Sequence, residues 1–225
     1  MDTLMFFYTL AILVICIVTA VLSLAAYASS RRQFFIYGSG VFICYAIEMT
    51  EIFFFEYTLQ NRSFPANDYY SITMPVMRTL VATASQAFIW AIAMDLLDKH
   101  SKKLFAIPVL TFLLCESLII VAVPSGPMHQ WLYYTMRQVF LVFMGLYIFW
   151  TAHKSTKVEL KTRVNNQRKH LIIGAILVGC IVAEDFYNIL VVPMSLAPSW
   201  LQLYLSERNF SENVFACYFA ILLII

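Results

Sequence analysis

Long apolar runs separated by shorter polar connections make up most of the chain. Most of these runs reach the roughly 20 residues that an α-helix needs to cross a bilayer. A helix pairs its backbone N–H and C=O groups within one segment, whereas membrane barrel strands are only about 10 residues long. The pattern therefore predicts an all-α integral membrane protein, a bundle of seven transmembrane helices. They are expected at about 4–28, 34–57, 71–97, 104–123, 131–152, 171–192 and 213–225.

The charge of the connections alternates along the chain. The first, third and fifth connections contain eleven Lys and Arg residues, whereas the second, fourth and sixth contain two. Because an excess of Lys and Arg marks the cytoplasmic side, we expect the N-terminus outside and the last helix running inward. Aromatic residues near the predicted helix ends, Trp131 among them, are typical of interfacial belts. In chain order the connections are 29–33, 58–70, 98–103, 124–130, 153–170 and 193–212.

The last apolar segment, 213–225, is too short to cross a bilayer and has no polar residue after it. This pattern favours a truncated last helix that runs toward the cytoplasm, with an output domain missing after residue 225. Residues 1–225 are accordingly expected to form a single transmembrane domain.

Composition agrees with a location in lipid. Of the 225 residues, 61% are hydrophobic and only 12% are charged, and the mean hydropathy is +0.76. A soluble domain carries about 25% charged residues, so this chain cannot cover itself with a polar surface. We expect a multi-pass protein of the cell membrane, plasma or bacterial inner. The net charge of +2 gives no global indication of nucleic-acid binding.

Seven ionisable side chains lie inside the predicted spans, about six to nine residues from the outer helix ends. A charged group at mid-bilayer costs roughly 2.5–3.5 kcal/mol on insertion scales, so such residues face a bundle interior or water. Their similar depth on helices that run in opposite directions predicts one polar layer near the outer surface. The seven residues are Glu48, Glu51, Arg78, Glu116, Arg137, Glu184 and Asp185.

Neighbouring polar residues extend this layer. Tyr45 shares a face with Glu48 and Glu51, Tyr134 lies one turn before Arg137, and Asn188 follows Glu184 by one turn. Five acids against two arginines favour a cationic ligand, or protons, in an outward-facing pocket. The alternative is a network of ion pairs that only fixes helix packing.

Chemical motifs are absent from the sequence. The four histidines lie in connections or at helix ends, and the five cysteines lie in apolar runs without metal-ligand spacing. No nucleophile elbow or P-loop occurs. We therefore expect no catalytic residues, no metal, no cofactor and no enzymatic activity.

The topology, and the stretch from Leu205 to Asn213 that leads into the last segment, resemble the seven-helix input regions of bacterial signalling proteins. These include membrane-anchored LuxR-type helix-turn-helix regulators and sensor histidine kinases. The resemblance implies a receptor that binds a small molecule outside and signals to a cytoplasmic domain, which for a regulator binds DNA. A homodimer is compatible with it. Alternatives are a small secondary transporter and a membrane anchor or assembly subunit.

Overall fold

The computed structural model describes residues 2–58, 74–99, 101–187, 189 and 210–224, with the backbone alone for 2–5 and 52–58. Within these ranges the secondary structure is helical and no strand occurs, which confirms the all-α prediction. The helices are α1 (Asp2–Ser30), α2 (Gln33–Thr58), α3 (Pro75–Leu96), α4 (Lys102–Ala122), α5 (Pro127–Lys154), α6 (Val158–Asn166), α7 (Arg168–Phe186) and α8 (Phe210–Ile224).

Among the described residues, four helices are long and apolar enough to cross a membrane: α1, α3, α4 and α5. The most exposed of them, α4, turns a stripe of large apolar side chains outward, including Ile107, Leu110, Leu114 and Leu118. Such a continuous apolar stripe is typical of a helix that faces lipid. The chain is thus a helical membrane protein. The α2 and α7 helices, which carry most of the predicted intramembrane acids, are not among these four.

The chain divides into two compact units, Met1–Ile92 with Cys217–Ile225 and Ala93–Ala216. The division falls inside α3 and inside α8, so each of these helices contributes to both units.

Close packing of α1 against α2 organises the first unit. The hydroxyl of Ser39 donates to the backbone carbonyl of Ala20 at 3.0 Å, and this bond is buried. The end of α8 also packs on α2: the rings of Phe42 and Phe219 stack with their centroids 5.7 Å apart. A methyl group added at Gly38 would collide with the Leu223 side chain at 2.7 Å, so glycine allows this close approach.

In the second unit α5 contacts α4, α6 and α7. The rings of Phe112 and Phe140 form an edge-to-face contact between α4 and α5, with centroids 5.4 Å apart. The second unit begins with the last turn of α3. There Lys99 N–H donates to the Met94 carbonyl and Asp98 N–H to the Asp95 carbonyl, while Asp98 adopts a left-handed conformation with φ 53°.

The fifth predicted connection differs from expectation because it contains a helix, α6. Leu160 and Val164 are one turn apart and buried, whereas the charged Lys161 and Arg163 are exposed. This amphipathic spacing stabilises a nine-residue helix that is too short and too polar to cross a membrane. The described residues therefore form eight helices, of which α6 lies in a predicted connection.

Helix ends differ from the predicted ones by several residues. The α5 helix begins at Pro127, four residues before the predicted start, because proline is well suited to the first helical position. Similarly, α8 begins at Phe210 rather than at residue 213, for a reason given below.

Candidate functional site

An ion pair joins α2 to the first turn of α3. The Arg78 Nε donates to the Glu51 Oε1 at 2.9 Å, and the two side chains are only 16% and 5% exposed. On α2, Glu48 lies one turn before Glu51 and is half-buried, and Tyr45 lies one turn before Glu48 and is buried. The structure therefore brings two predicted site residues, Glu51 and Arg78, into direct contact. In such a sheltered place a charge-assisted bond is strong, and loss of one partner is expensive.

A carboxylate at the end of α7 holds the start of the last helix. The two oxygens of Glu184 accept hydrogen bonds from the backbone N–H groups of Phe210 and Ser211, at 2.8 and 2.7 Å. These N–H groups belong to the first turn of α8, which has no intrahelical partners for them. A negative charge there also interacts favourably with the helix dipole. Glu184 thus acts as an N-cap supplied from another helix, and α8 begins where this cap is placed.

Asp185, the next residue on α7, lies among charged groups. Its side chain is 2% exposed. Glu212, Glu184 and Arg137 are all close enough to act on it electrostatically. Two other acids and one guanidinium of the second unit therefore act electrostatically on Asp185, and acidic groups outnumber the basic one.

One face of α5 carries buried polar atoms that lack hydrogen-bond partners among the described residues. They are the indole Nε1 of Trp131, the hydroxyl of Thr135 and the Oε1 of Gln138, spaced as i, i+4 and i+7. The Trp131 ring contacts Phe186 at the end of α7, with centroids 6.2 Å apart. On α7 the Oδ2 of Asp185 is also buried without a hydrogen-bond partner among the described residues. Buried polar atoms are nearly always hydrogen-bonded, so four such atoms on two contacting helices indicate a polar guest or ordered water.

Two further predicted residues belong to this unit. The Arg137 guanidinium lies 6.0 and 5.9 Å from the ring centroids of Tyr133 and Tyr134, which is cation–π distance. Glu116, on α4, is fully buried. The sequence predicted that this acid would face the interior of the helix bundle, and its burial is consistent with that position.

The predicted residues therefore form two described groups, one in each unit. Glu51 and Arg78 belong to the first unit, while Arg137, Glu184 and Asp185 belong to the second. The single layer joining all seven stays a prediction. Asn188 lies outside the described residues.

Sequence reasoning did not assign Thr135 or Trp131 to the site. Trp131 was predicted to belong to an interfacial belt, and its indole nitrogen is buried. The available signal was the spacing of Trp131, Thr135 and Gln138 along one helical face. A search of the described residues for three or more clustered His, Cys, Asp or Glu side chains that could hold a metal found none.

Comparisons of the chain with protein-family models, with curated proteins and with solved structures found no match.

Proposed function

We propose that this protein is a membrane receptor module that binds a small, polar, cationic ligand in the second unit. The bound ligand shifts the start of α8, and α8 carries the change toward a cytoplasmic output domain, for example a transcriptional regulator. In this proposal seven helices cross the cell membrane, with the N-terminus outside and the C-terminus toward the cytoplasm. The polar site then opens to the outer side.

The observation that carries the proposal is the set of partnerless polar atoms beside the Glu184 cap. The described residues offer two donors, the Trp131 indole and the Thr135 hydroxyl, and two acceptors, Gln138 Oε1 and Asp185 Oδ2. A ligand with both hydrogen-bond donors and acceptors, together with ordered water, would complete these four atoms. An apolar guest would leave them unpaired, which costs about 1–3 kcal/mol for each group.

The charge of the site determines which charge the ligand must carry. The groups acting on Asp185 are two carboxylates and one guanidinium. Together with Asp185 they give the site an excess of negative charge when all are ionised. A cation is attracted to such a site and an anion is repelled, and the low dielectric of the interior strengthens both effects. Protons would serve the same role by neutralising one carboxylate.

The Glu184 cap supplies a route from the site to the last helix. Glu184 is adjacent to Asp185 in sequence and bonded to two N–H groups of α8. An ammonium group beside Asp185 competes with these N–H groups for the Glu184 carboxylate. An N-cap stabilises a helix by about 0.5–2 kcal/mol, so its loss changes the population of the capped state about 2- to 30-fold. Binding then acts as a shift between two pre-existing arrangements.

The test is a measurement of thermal stability on the purified full chain in detergent. Ethanolamine, choline and 1,4-diaminobutane are compared with acetate and succinate at equal concentration and ionic strength. At least one of the ammonium compounds should raise Tm, and the carboxylates should not, because a ligand that binds only the folded state stabilises it. Asp185→Asn should abolish the effect. Glu159→Gln, at an exposed acid of the same unit, should leave it intact.

Three outcomes would reject the receptor proposal. If carboxylates stabilise the protein as well as amines do, the charge argument fails. If no compound changes Tm and Asp185→Asn lowers it strongly, the acids only support helix packing, and the protein is an anchor or assembly subunit. Uptake of the amine by sealed vesicles containing the chain would instead identify a transporter.

A further inference from the structure

A groove of about 600 Å³ runs along the first unit between α1, α2 and the start of α3. Its volume is in the range of about 300–1,000 Å³ that is typical of small-ligand sites. Small side chains, Ala20 and Ala46, form part of its lining and leave the space between the two helices. The remaining lining residues are Ile17, Val21, Leu24, Ile43, Ile47, Thr50, Glu51, Met74 and Met77.

Polarity changes from one end of the groove to the other. Glu51 and Thr50 lie at the end beside the first turn of α3, together with Met74 and Met77. The other end is lined by Leu24 and further apolar side chains of α1. From Ile43 to Glu51 the groove follows α2 for about 12 Å at 1.5 Å per residue. One end of the groove is polar and lies near the start of α3, and the rest is apolar and runs toward the middle of the membrane. A phospholipid within one leaflet has the same order, a polar headgroup followed by apolar acyl chains.

The polar end of the groove is next to an ion pair. Glu51 lines the groove, and its partner Arg78, 2.9 Å away and 16% exposed, lies beside Glu51 without being part of the lining. A guanidinium has five N–H donors and recognises phosphate well, and a carboxylate recognises an ammonium group. A headgroup that carries a phosphate and an ammonium complements this pair. An anionic headgroup without the ammonium would meet the Glu51 carboxylate unfavourably.

We propose that this groove binds one zwitterionic phospholipid of the surrounding bilayer, with an acyl chain along α1 and α2 and its headgroup at the Glu51–Arg78 pair. The site is separate from the ligand site of the second unit and does not depend on the receptor function. Exposed apolar side chains such as Val21 and Ile43 then contact the bound chain.

Photo-crosslinking of the full chain in nanodiscs of phosphatidylglycerol tests this. Trace phosphatidylethanolamine with a diazirine on its acyl chain is compared with phosphatidylglycerol that carries the same chain, and adducts are mapped by mass spectrometry. We expect phosphatidylethanolamine to label 17–24 and 43–47 several-fold more than phosphatidylglycerol does. Glu51→Gln, which removes the carboxylate that recognises the ammonium group, should remove this preference while labelling of the groove persists.

Two valines of α1 provide a matched pair. Val21 lines the groove and is 59% exposed, whereas Val18 is 47% exposed and lies outside it. Val21→Trp should reduce groove labelling several-fold, and Val18→Trp should not. If Val21→Trp fails to fold, as judged by its elution and Tm, Ala46→Phe replaces it.

Equal labelling by the two lipids in the wild-type protein would overturn the proposal, as would equal effects of the two tryptophan variants. If Val21→Trp converts a dimer to a monomer and no lipid adduct forms in the groove, its occupant is a second copy of this chain.

Discussion

Individual charged side chains in this protein are held by specific partners rather than left to face lipid. The Glu51 carboxylate meets Arg78, and the Glu184 carboxylate meets two backbone N–H groups. Both arrangements place a formal charge in a sheltered position, where desolvation is expensive and each bond is correspondingly important. The two acids differ in what they connect. Glu51 fixes α2 to α3 within the first unit, whereas Glu184 fixes α7 to α8 within the second.

The Glu51–Arg78 pair should show strong coupling in a double-mutant cycle. Arg78→Met leaves the Glu51 carboxylate buried without its cation, so we expect a loss of about 3–5 kcal/mol. Glu51→Leu leaves the Arg78 guanidinium buried without its carboxylate, so we expect a loss of stability for this variant too. The double variant should recover much of this loss, because it removes both charges together. Thermal or denaturant unfolding of the purified chain measures all four proteins. Additive losses would show that the pair contributes no mutual stabilisation.

Among the elements, α5 has the clearest division of faces. Its Trp131, Thr135 and Gln138 face holds buried polar atoms, while Val139, Val142 and Leu146 are exposed apolar residues suited to lipid. Its two ends also differ in charge: the connection before it has no Lys or Arg, and the one after it has six. The positive-inside rule therefore predicts that α5 runs from outside to cytoplasm.

Cysteine labelling in intact cells measures the direction of α5. Ser125 and Thr156 are exposed residues at its opposite ends. In a background without native cysteines, Ser125→Cys should react with a membrane-impermeant maleimide added to whole cells. Thr156→Cys should react only after the membrane is opened. The reverse pattern would invert the topology and place the proposed ligand site on the cytoplasmic side. The native cysteines to replace are Cys16, Cys44, Cys115, Cys180 and Cys217.

Helix interiors were predictable from apolar run length, and helix ends were not. The start of α8 depends on Glu184, which lies 26 residues before Phe210, and no local pattern contains that information. In contrast, α5 begins at a proline and α6 has buried Leu160 and Val164 one turn apart, so both carried a local signal. The long-range cap is a tertiary interaction that overrides the local composition.

For the site, the burial of charged residues could be predicted from the sequence, but their partners could not. The cost of charge in lipid correctly predicted that Glu51, Glu116, Glu184 and Asp185 would be buried. That Glu51 would pair with Arg78, and that Glu184 would bind backbone rather than arginine, depends on how helices rotate and pack. Trp131 and Thr135 were not predicted as site residues, because neutral side chains have only a small insertion cost and do not stand out within an apolar run.

At the scale of the whole molecule, α8 is the element that links the described features. Its first turn is capped by Glu184 in the second unit, and its end packs on α2 in the first through Phe42 and Phe219. The α8 helix therefore contributes residues to both units. The central claim is accordingly that occupancy of the polar site loosens the Glu184 cap and thereby releases the start of α8.

Amide hydrogen exchange at Phe210 and Ser211 tests this claim most directly. In the unliganded full chain these two amides should be protected, and Glu184→Ala should accelerate their exchange about 2- to 30-fold, the range that corresponds to an N-cap. Saturating ethanolamine should move the wild-type rates toward those of Glu184→Ala, with no effect on Asp185→Asn. Identical exchange in wild type and Glu184→Ala, or protection unaffected by bound amine, would contradict the account.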